Sequence, residues 1–144
     1  MPKSVVTVSP ATVPLDPSGM PNDWILSGTP QTRSKNIVRS HDWTSNLVAW
    51  DCTAGRFKWH YTQDETIMVV SGEAIMINEK GEERRLGPGD IGFFPAGTSC
   101  TWWVPDHIRK VAVVKENLWQ PLGFGLKIWN NLMRSAGLAG KSPI

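Results

Sequence analysis

The sequence predicts an all-β fold: an antiparallel jelly-roll barrel with an extended N-terminal arm and a C-terminal α-helix. Three observations predict it. From residue 45 onward, short strand-like runs alternate with turn residues every eight to twelve positions or so, the rhythm of a sandwich or barrel. The stretch Gly89-Asp90-Ile91-Gly92-Phe93-Phe94-Pro95-Ala96-Gly97 joins a Gly-Asp turn, a short apolar strand and a Pro-x-Gly turn, the pattern of a barrel edge. After Pro121 the apolar spacing changes to one near 3.6, which marks a helix.

Residues 1–22 carry prolines at 2, 10, 14, 17 and 21 without periodicity, and read as an extended arm, mobile or laid across a neighbouring subunit. The barrel domain spans 23–117. It opens with strand candidates at Trp24-Ile25-Leu26 and Asn36-Ile37-Val38, separated by the turn-rich Ser27-Gly28-Thr29-Pro30. Strands follow at 46–52, 56–61, 65–70, 73–78, 82–86, 90–94, 98–104 and 108–114. Between them lie turn signals that include Ala54-Gly55, Ser71-Gly72, Lys80-Gly81 and Pro105-Asp106. Residues 118–144 form a helix and tail. Pro121 suits a first helical turn, Leu122, Leu126, Trp129 and Met133 make an apolar stripe, and Gly137 is a stop. The helix, expected over 121–136, lies against the barrel or a partner.

Composition narrows the function. The chain has 144 residues, enough for one sizeable core. Its 15 basic and 13 acidic residues nearly balance, so neither nucleic acid nor an anionic membrane is an expected partner. Two cysteines, Cys52 and Cys100, are too few for a secreted disulfide scaffold. Residues 1–22 lack the basic start and apolar core of a signal peptide, and no run approaches the roughly 20 apolar residues of a membrane span. The expectation is a cytoplasmic protein. Eight tryptophans are unusual for this size, and most fall in strand-like runs.

Two segments together resemble the cupin superfamily. One runs from Gly55-Arg56-Phe57 through Trp59-His60-Tyr61 to Asp64-Glu65 and Gly72, and the other is Gly89, Pro95 and Gly97. More narrowly, Trp50-x-Cys52-x-x-Gly55-Arg56-Phe57, Gly87-Pro88-Gly89-Asp90 and Arg109-Lys110-Val111 resemble the subfamily that includes the ethanolamine-utilisation cupin EutQ and the domains of (S)-ureidoglycine aminohydrolase. The resemblance implies a cupin double-stranded β-helix over residues 24–114 and a homodimer, formed by pairing sheets or exchanging N-terminal strands. It also implies a metal site of two histidines and a glutamate from the first segment and a third histidine from the second. Counted with the commoner spacing, Trp59 and Tyr61 stand at the first two histidine positions, Cys100 at the third, and Glu65 alone remains. A spacing one residue longer puts Lys58 and His60 there instead, giving Glu65, His60 and Cys100 as a ligand set for Mn, Ni, Fe or Zn.

Strand alternation favours the first register. Phe57, Trp59 and Tyr61 share one face and Arg56, Lys58 and His60 the other, and an aromatic trio lines a barrel better than a cationic one. No cofactor is therefore predicted, with a divalent ion as the alternative. Glu65 and Tyr61 are the candidate catalytic or ligand-orienting pair, Glu65 being the expected partner of the lone tyrosine hydroxyl. Trp50, Trp59, Cys100 and Trp102 complete the expected ligand walls, although core filling is the favoured role of a buried thiol and of most of the tryptophans. One of Arg109 and Lys110 should line the barrel. The leading reading is a small-molecule-binding cupin with a degenerate metal site. A metal-dependent enzyme resembling ureidoglycine aminohydrolase and an accessory or assembly protein are the alternatives, and the sequence leaves turnover open.

Overall fold

The computed structural model describes residues 4–138 and 140. Its strands are β1 (Asp16–Ser18), β2 (Ile25–Gly28), β3 (Thr32–Arg39), β4 (Ser45–His60), β5 (Asp64–Gly72), β6 (Ala74–Ile77), β7 (Glu83–Leu86), β8 (Ile91–Phe94) and β9 (Ser99–Lys115), followed by α1 (Gln120–Ser135). Every strand pair is antiparallel.

The two long strands organise the fold. The first half of β4 pairs with β3 and with the second half of β9, which in turn pairs with β5. The second half of β4 pairs with β2 and with the first half of β9, which pairs with β6. Both strands thus pass from one sheet to the other. β8 closes the first sheet beside β5, and β7 closes the second beside β6.

The expected turns at Ala54-Gly55 and Pro105-Asp106 are a correction. The chain does not reverse there; β4 and β9 continue through a register shift between Thr53 and Gly55. One strand gains a residue, and the extra residue bends it. As a result the inward set of β4 changes from Trp50 and Cys52 to Phe57 and Trp59. Gly55 sits at this bend because a Cβ there would lie 2.7 Å from Cδ of Pro30. Gly72, at φ +72°, ends β5 where a Cβ would come within 1.9 Å of the His107 carbonyl oxygen.

Alternation fills the space between the sheets. Ile67 and Val69 of β5 meet Trp102, Val104 and Ile108 of β9 and Phe57 of β4, all of them buried. The N-terminal stretch lies along its own chain. β1 pairs with β3, and the Arg109 guanidinium donates to the carbonyls of Pro10 and Val13.

Helix α1 starts with Pro121 in its first turn and ends before Gly137 at φ +71°, close to its expected limits. It does not lie on the barrel, however. None of its residues is buried, and Leu122, Phe124, Trp129 and Leu132 stand at least half exposed. No helix among the described residues is long and apolar enough to cross a membrane.

Candidate ligand site

A cavity of about 250 Å³ opens inside the first sheet, lined chiefly by Trp50, Trp59, Glu65 and Lys110 with Ser34 at its rim. Ser18 and Gly19 bring the end of the N-terminal arm over it. At its centre Lys110 Nζ donates to Glu65 Oε1 over 2.9 Å, and both residues are buried, at 5% and 9% exposure. Such a pair is costly to desolvate unless close partners compensate both charges. For the ammonium, tryptophan faces supply the rest. Nζ lies 4.7 Å from the ring centre of Trp50, 4.8 Å from that of Trp102 and 5.9 Å from that of Trp59. A cation over an indole face is attracted by the ring quadrupole, most strongly when water is excluded.

The remaining predicted residues divide around this centre. Trp59 stands edge-on to Trp24 and Trp50, at 5.0 and 5.9 Å between ring centres, so Trp24 packs against a wall residue without lining the cavity itself. Trp102 lies behind the cavity, stacked on Phe57. Tyr61 is buried beside it, stacked at 4.6 Å on Phe94, and its hydroxyl accepts a 3.0 Å hydrogen bond from Trp102 Nε1. Glu65, the expected partner of that hydroxyl, turns to Lys110 instead. Burial first, and then the Glu65 charge, drive the Tyr61 phenol far above its usual range, so it keeps its proton.

Cys100 points away from the cavity. Its thiol donates to the Ile77 carbonyl at 3.3 Å, and burial pushes its pKa up to about 11. His60 is exposed on the opposite face of β4, with Nδ1 2.7 Å from Ser99 Oγ. The ligand set Glu65, His60 and Cys100 is therefore not assembled, because strand alternation sends His60 outward while Glu65 faces in. Among the described residues no three His, Cys, Asp or Glu side chains come together as metal ligands.

Lys110 is the residue that sequence reasoning left undecided. Its signal was parity: it shares an inward row with Ile108 and Ala112, and β9 sets it opposite Trp50. Arg109 faces out, beside a second cluster. There Asp51, almost fully buried, receives both arms of Arg33 and has His107 Nε2 at 3.5 Å and Arg109 Nη1 at 3.8 Å. Burial pushes the Asp51 carboxyl up, but the bonds from Arg33 and His107 outweigh it and hold the group below its usual range. His107 is thereby drawn against the sheet.

A wider groove of about 600 Å³ runs between the free edges of β7 and β8, over Met76, Leu86, Phe94 and Cys100. It gathers no buried charge, since its acidic and basic side chains, Glu79, Lys80, Glu82 and Arg84 among them, are exposed. The smaller cavity, where an acceptor and a donor converge within aromatic walls, has the character of a ligand site.

The EutQ-like cupin domain model matches residues 39–112, half of the chain. The chain belongs to the EutQ-like cupin family. It is 30% identical over 88 residues to the acetate kinase EutQ of Salmonella typhimurium, an alignment covering 59% of this chain and 37% of that relative. The chain thus spans little more than a third of the length of that relative. Among solved structures, a putative ethanolamine utilization protein from Salmonella typhimurium is similar at 26% identity and TM-score 0.53, over 59% of this chain and 69% of that one. A protein of unknown function from Pseudomonas syringae pv. tomato superposes with TM-score 0.68 at 24% identity, over 75% of this chain and 46% of that one. The polyketide cyclase RemF from Streptomyces resistomycificus shares the fold at TM-score 0.60 and 16% identity, over 79% of this chain and 81% of that one. Together with the strand topology, these likenesses establish the cupin jelly roll, and catalysis by whole relatives remains a property of those proteins.

Proposed function

We propose that this protein is a small-molecule-binding cupin whose metal site has degenerated and whose fixed cation is the ammonium of Lys110. One observation carries the reading: Lys110 and Glu65 converge at 2.9 Å on a cavity walled by tryptophan. Lys110 offers its further N–H bonds to a ligand oxygen, and Glu65 has a second oxygen to accept from a ligand N–H or O–H. Trp50 and Trp59 cover a flat apolar flank. A small carboxylate, amide or ureido compound has this complement of groups. The cavity is smaller than the roughly 300–1,000 Å³ of sites for drug-sized ligands, which restricts the class to compact metabolites.

The donor set does not fit a divalent ion. Glu65 is engaged by a cation, Trp59 offers no lone pair in its ring plane, Tyr61 holds its proton and Cys100 is turned to Ile77. A second cation beside the Lys110 ammonium would meet direct repulsion. The metal-dependent aminohydrolase reading lacks its ligands for the same reason. Localisation in the cytoplasm accords with two free, buried thiols.

The test is a thermal-shift and calorimetric screen of small carboxylates, amides and ureido compounds against the wild type, Lys110→Met and Glu65→Gln. A compound that stabilises the wild type and loses its effect in both variants supports the proposal. A compound bound equally well by Lys110→Met, or stoichiometric metal held by Glu65 in untagged protein, overturns it.

A further inference from the structure

Two apolar surfaces of this chain have no partner among the described residues. The first is the outer face of the sheet formed by β4, β9, β5 and β8. Cross-strand register sets Leu47, Val113, Thr66 and Phe93 side by side in one row, and Val111, Met68 and Ile91 in the next. Met68, Ile91, Phe93 and Val113 are 42–70% exposed, and a shallow apolar groove of about 150 Å³ runs between the rows. The second is α1. Leu122, Leu126, Trp129 and Leu132 repeat at helical spacing, and Trp119 leads into them, all 44–75% exposed. Contiguous exposed patches of this kind mark interaction sites.

We infer that α1 of one chain docks on the outer β4–β9–β5–β8 face of a second copy, and that the second copy returns the contact. Three observations select this occupant. The stem before the helix is pinned to the barrel end, where the Glu116 amide donates to the Thr44 carbonyl and Asn117 Nδ2 donates to the Thr62 carbonyl at 2.6 Å. Only Leu118 and Trp119 then separate the pinned stem from the helix, and the helix leaves its own barrel without burying a residue. A sheet-to-sheet dimer would cover the first surface and leave α1 bare, whereas helix on sheet, made twice about a two-fold axis, covers both.

The sizes agree as well. A 16-residue helix is about 24 Å long, and four strands at about 4.8 Å spacing present a face some 14 Å across. Each helix offers about 400 Å² of apolar surface, so two reciprocal contacts remove on the order of 1,600 Å² from water, the size of a standard specific interface. A lipid surface suits the helix less well. Among the described residues its polar side carries Lys127 and Arg134 as the only cations, too few to hold anionic headgroups.

The experiment is sedimentation of the full chain and of two surface variants, Leu122→Lys/Trp129→Lys on the helix and Met68→Lys/Phe93→Lys on the sheet. All four positions are exposed, so both variants should keep the wild-type β-sheet circular dichroism and unfold cooperatively, at a lower temperature once the dimer is lost; Leu122→Ala/Trp129→Ala replaces the helix variant if it does not. The wild type is expected as a dimer and each variant as a monomer. Mixed at equal amounts and assayed up to about 1 mM, the two variants should form a heterodimer, weaker than wild type, because one intact helix meets one intact sheet. Three results overturn the inference: a monomeric wild type, including one that instead floats with phosphatidylserine vesicles; a dimer that survives the helix substitutions; or a mixture that stays monomeric. None of these outcomes depends on the ligand cavity.

Discussion

Glu65 and Lys110 lie four positions apart along the β5–β9 ladder, where Glu65 faces Val114 and Lys110 faces Val69, yet their side chains meet at 2.9 Å inside the barrel. Both lean along the interior towards the same point. Closing that distance requires long, nearly extended side chains held by their surroundings, and the indole rings of Trp50 and Trp102 supply the restraint around Nζ. The pair is therefore a component of the core as well as of the cavity.

Removing one half of the pair should cost more than removing both. Lys110→Met leaves the Glu65 carboxylate buried without its partner, and breaking a buried ion pair this way typically destabilises by about 3–5 kcal/mol. Glu65→Leu combined with Lys110→Met replaces two charges with apolar groups of similar length and should recover most of that loss. Urea unfolding of the single and double variants measures the difference. A double variant no more stable than Lys110→Met would show that the ammonium is held by its tryptophans rather than by Glu65.

Gly72 and Gly81 share a positive φ but not a neighbourhood. A Cβ at Gly81 meets nothing within 4 Å, so Gly81→Ala should cost only the left-handed backbone penalty of about 1–2 kcal/mol. At Gly72 the same methyl drives into the backbone of His107 and Ile108, which cannot yield without separating β5 from β9. Gly72→Ala should therefore lose well over 2 kcal/mol, or fail to accumulate as soluble protein. Equal melting temperatures for the two variants would contradict this difference.

Much of the barrel was legible in the sequence because its signals are local. Alternation in β5 and β9 sorts inward from outward residues, and Gly87 to Asp90 closes a turn that its own residue types dictate, Asp90 accepting from the Gly87 amide at 2.8 Å. What escaped depends on non-local geometry. A bulge and a turn draw on the same glycine, proline and aspartate, so Ala54-Gly55 and Pro105-Asp106 looked like reversals. A lysine in a strand ordinarily belongs at the surface, and only its register opposite Trp50 places Lys110 inside. The stripe on α1 marked an apolar face but carried no information about what that face meets.

The two cysteines should be inert in the folded protein. Burial, with Asp51 adding to it, pushes the Cys52 thiol up to about 12, and burial pushes Cys100 up to about 11. At pH 8 the thiolate, the form that reacts, is scarce at both positions. Iodoacetamide followed by mass spectrometry should find neither labelled in native buffer and both labelled in denaturant. Rapid native labelling of Cys100 would mean that the β6–β9 contact opens readily.

The N-terminal arm should loosen in acid through Asp51. The folded-state pKa of Asp51 lies below its unfolded value, near 3.9, so its contribution is complete above that value and is lost as pH falls through the lower, folded one. Protonation weakens its hold on Arg33 and Arg109, and Arg109 is the side chain that grips the arm carbonyls at Pro10 and Val13. Asp42, held at about 2 by Thr44 and Ser40 in an exposed turn, is also lowered but touches no part of the arm. Asp51→Asn should thus lower the protection of residues 10–18 from hydrogen exchange already at neutral pH and remove the further loss of protection in acid, whereas Asp42→Asn should leave the protection of the arm unchanged. Because Ser18 and Gly19 line the cavity at Lys110, the same Asp51→Asn substitution should also speed release of a ligand bound there as proposed above. If arm exchange in Asp51→Asn matches wild type at every pH, the arm is held by its β1–β3 pairing alone.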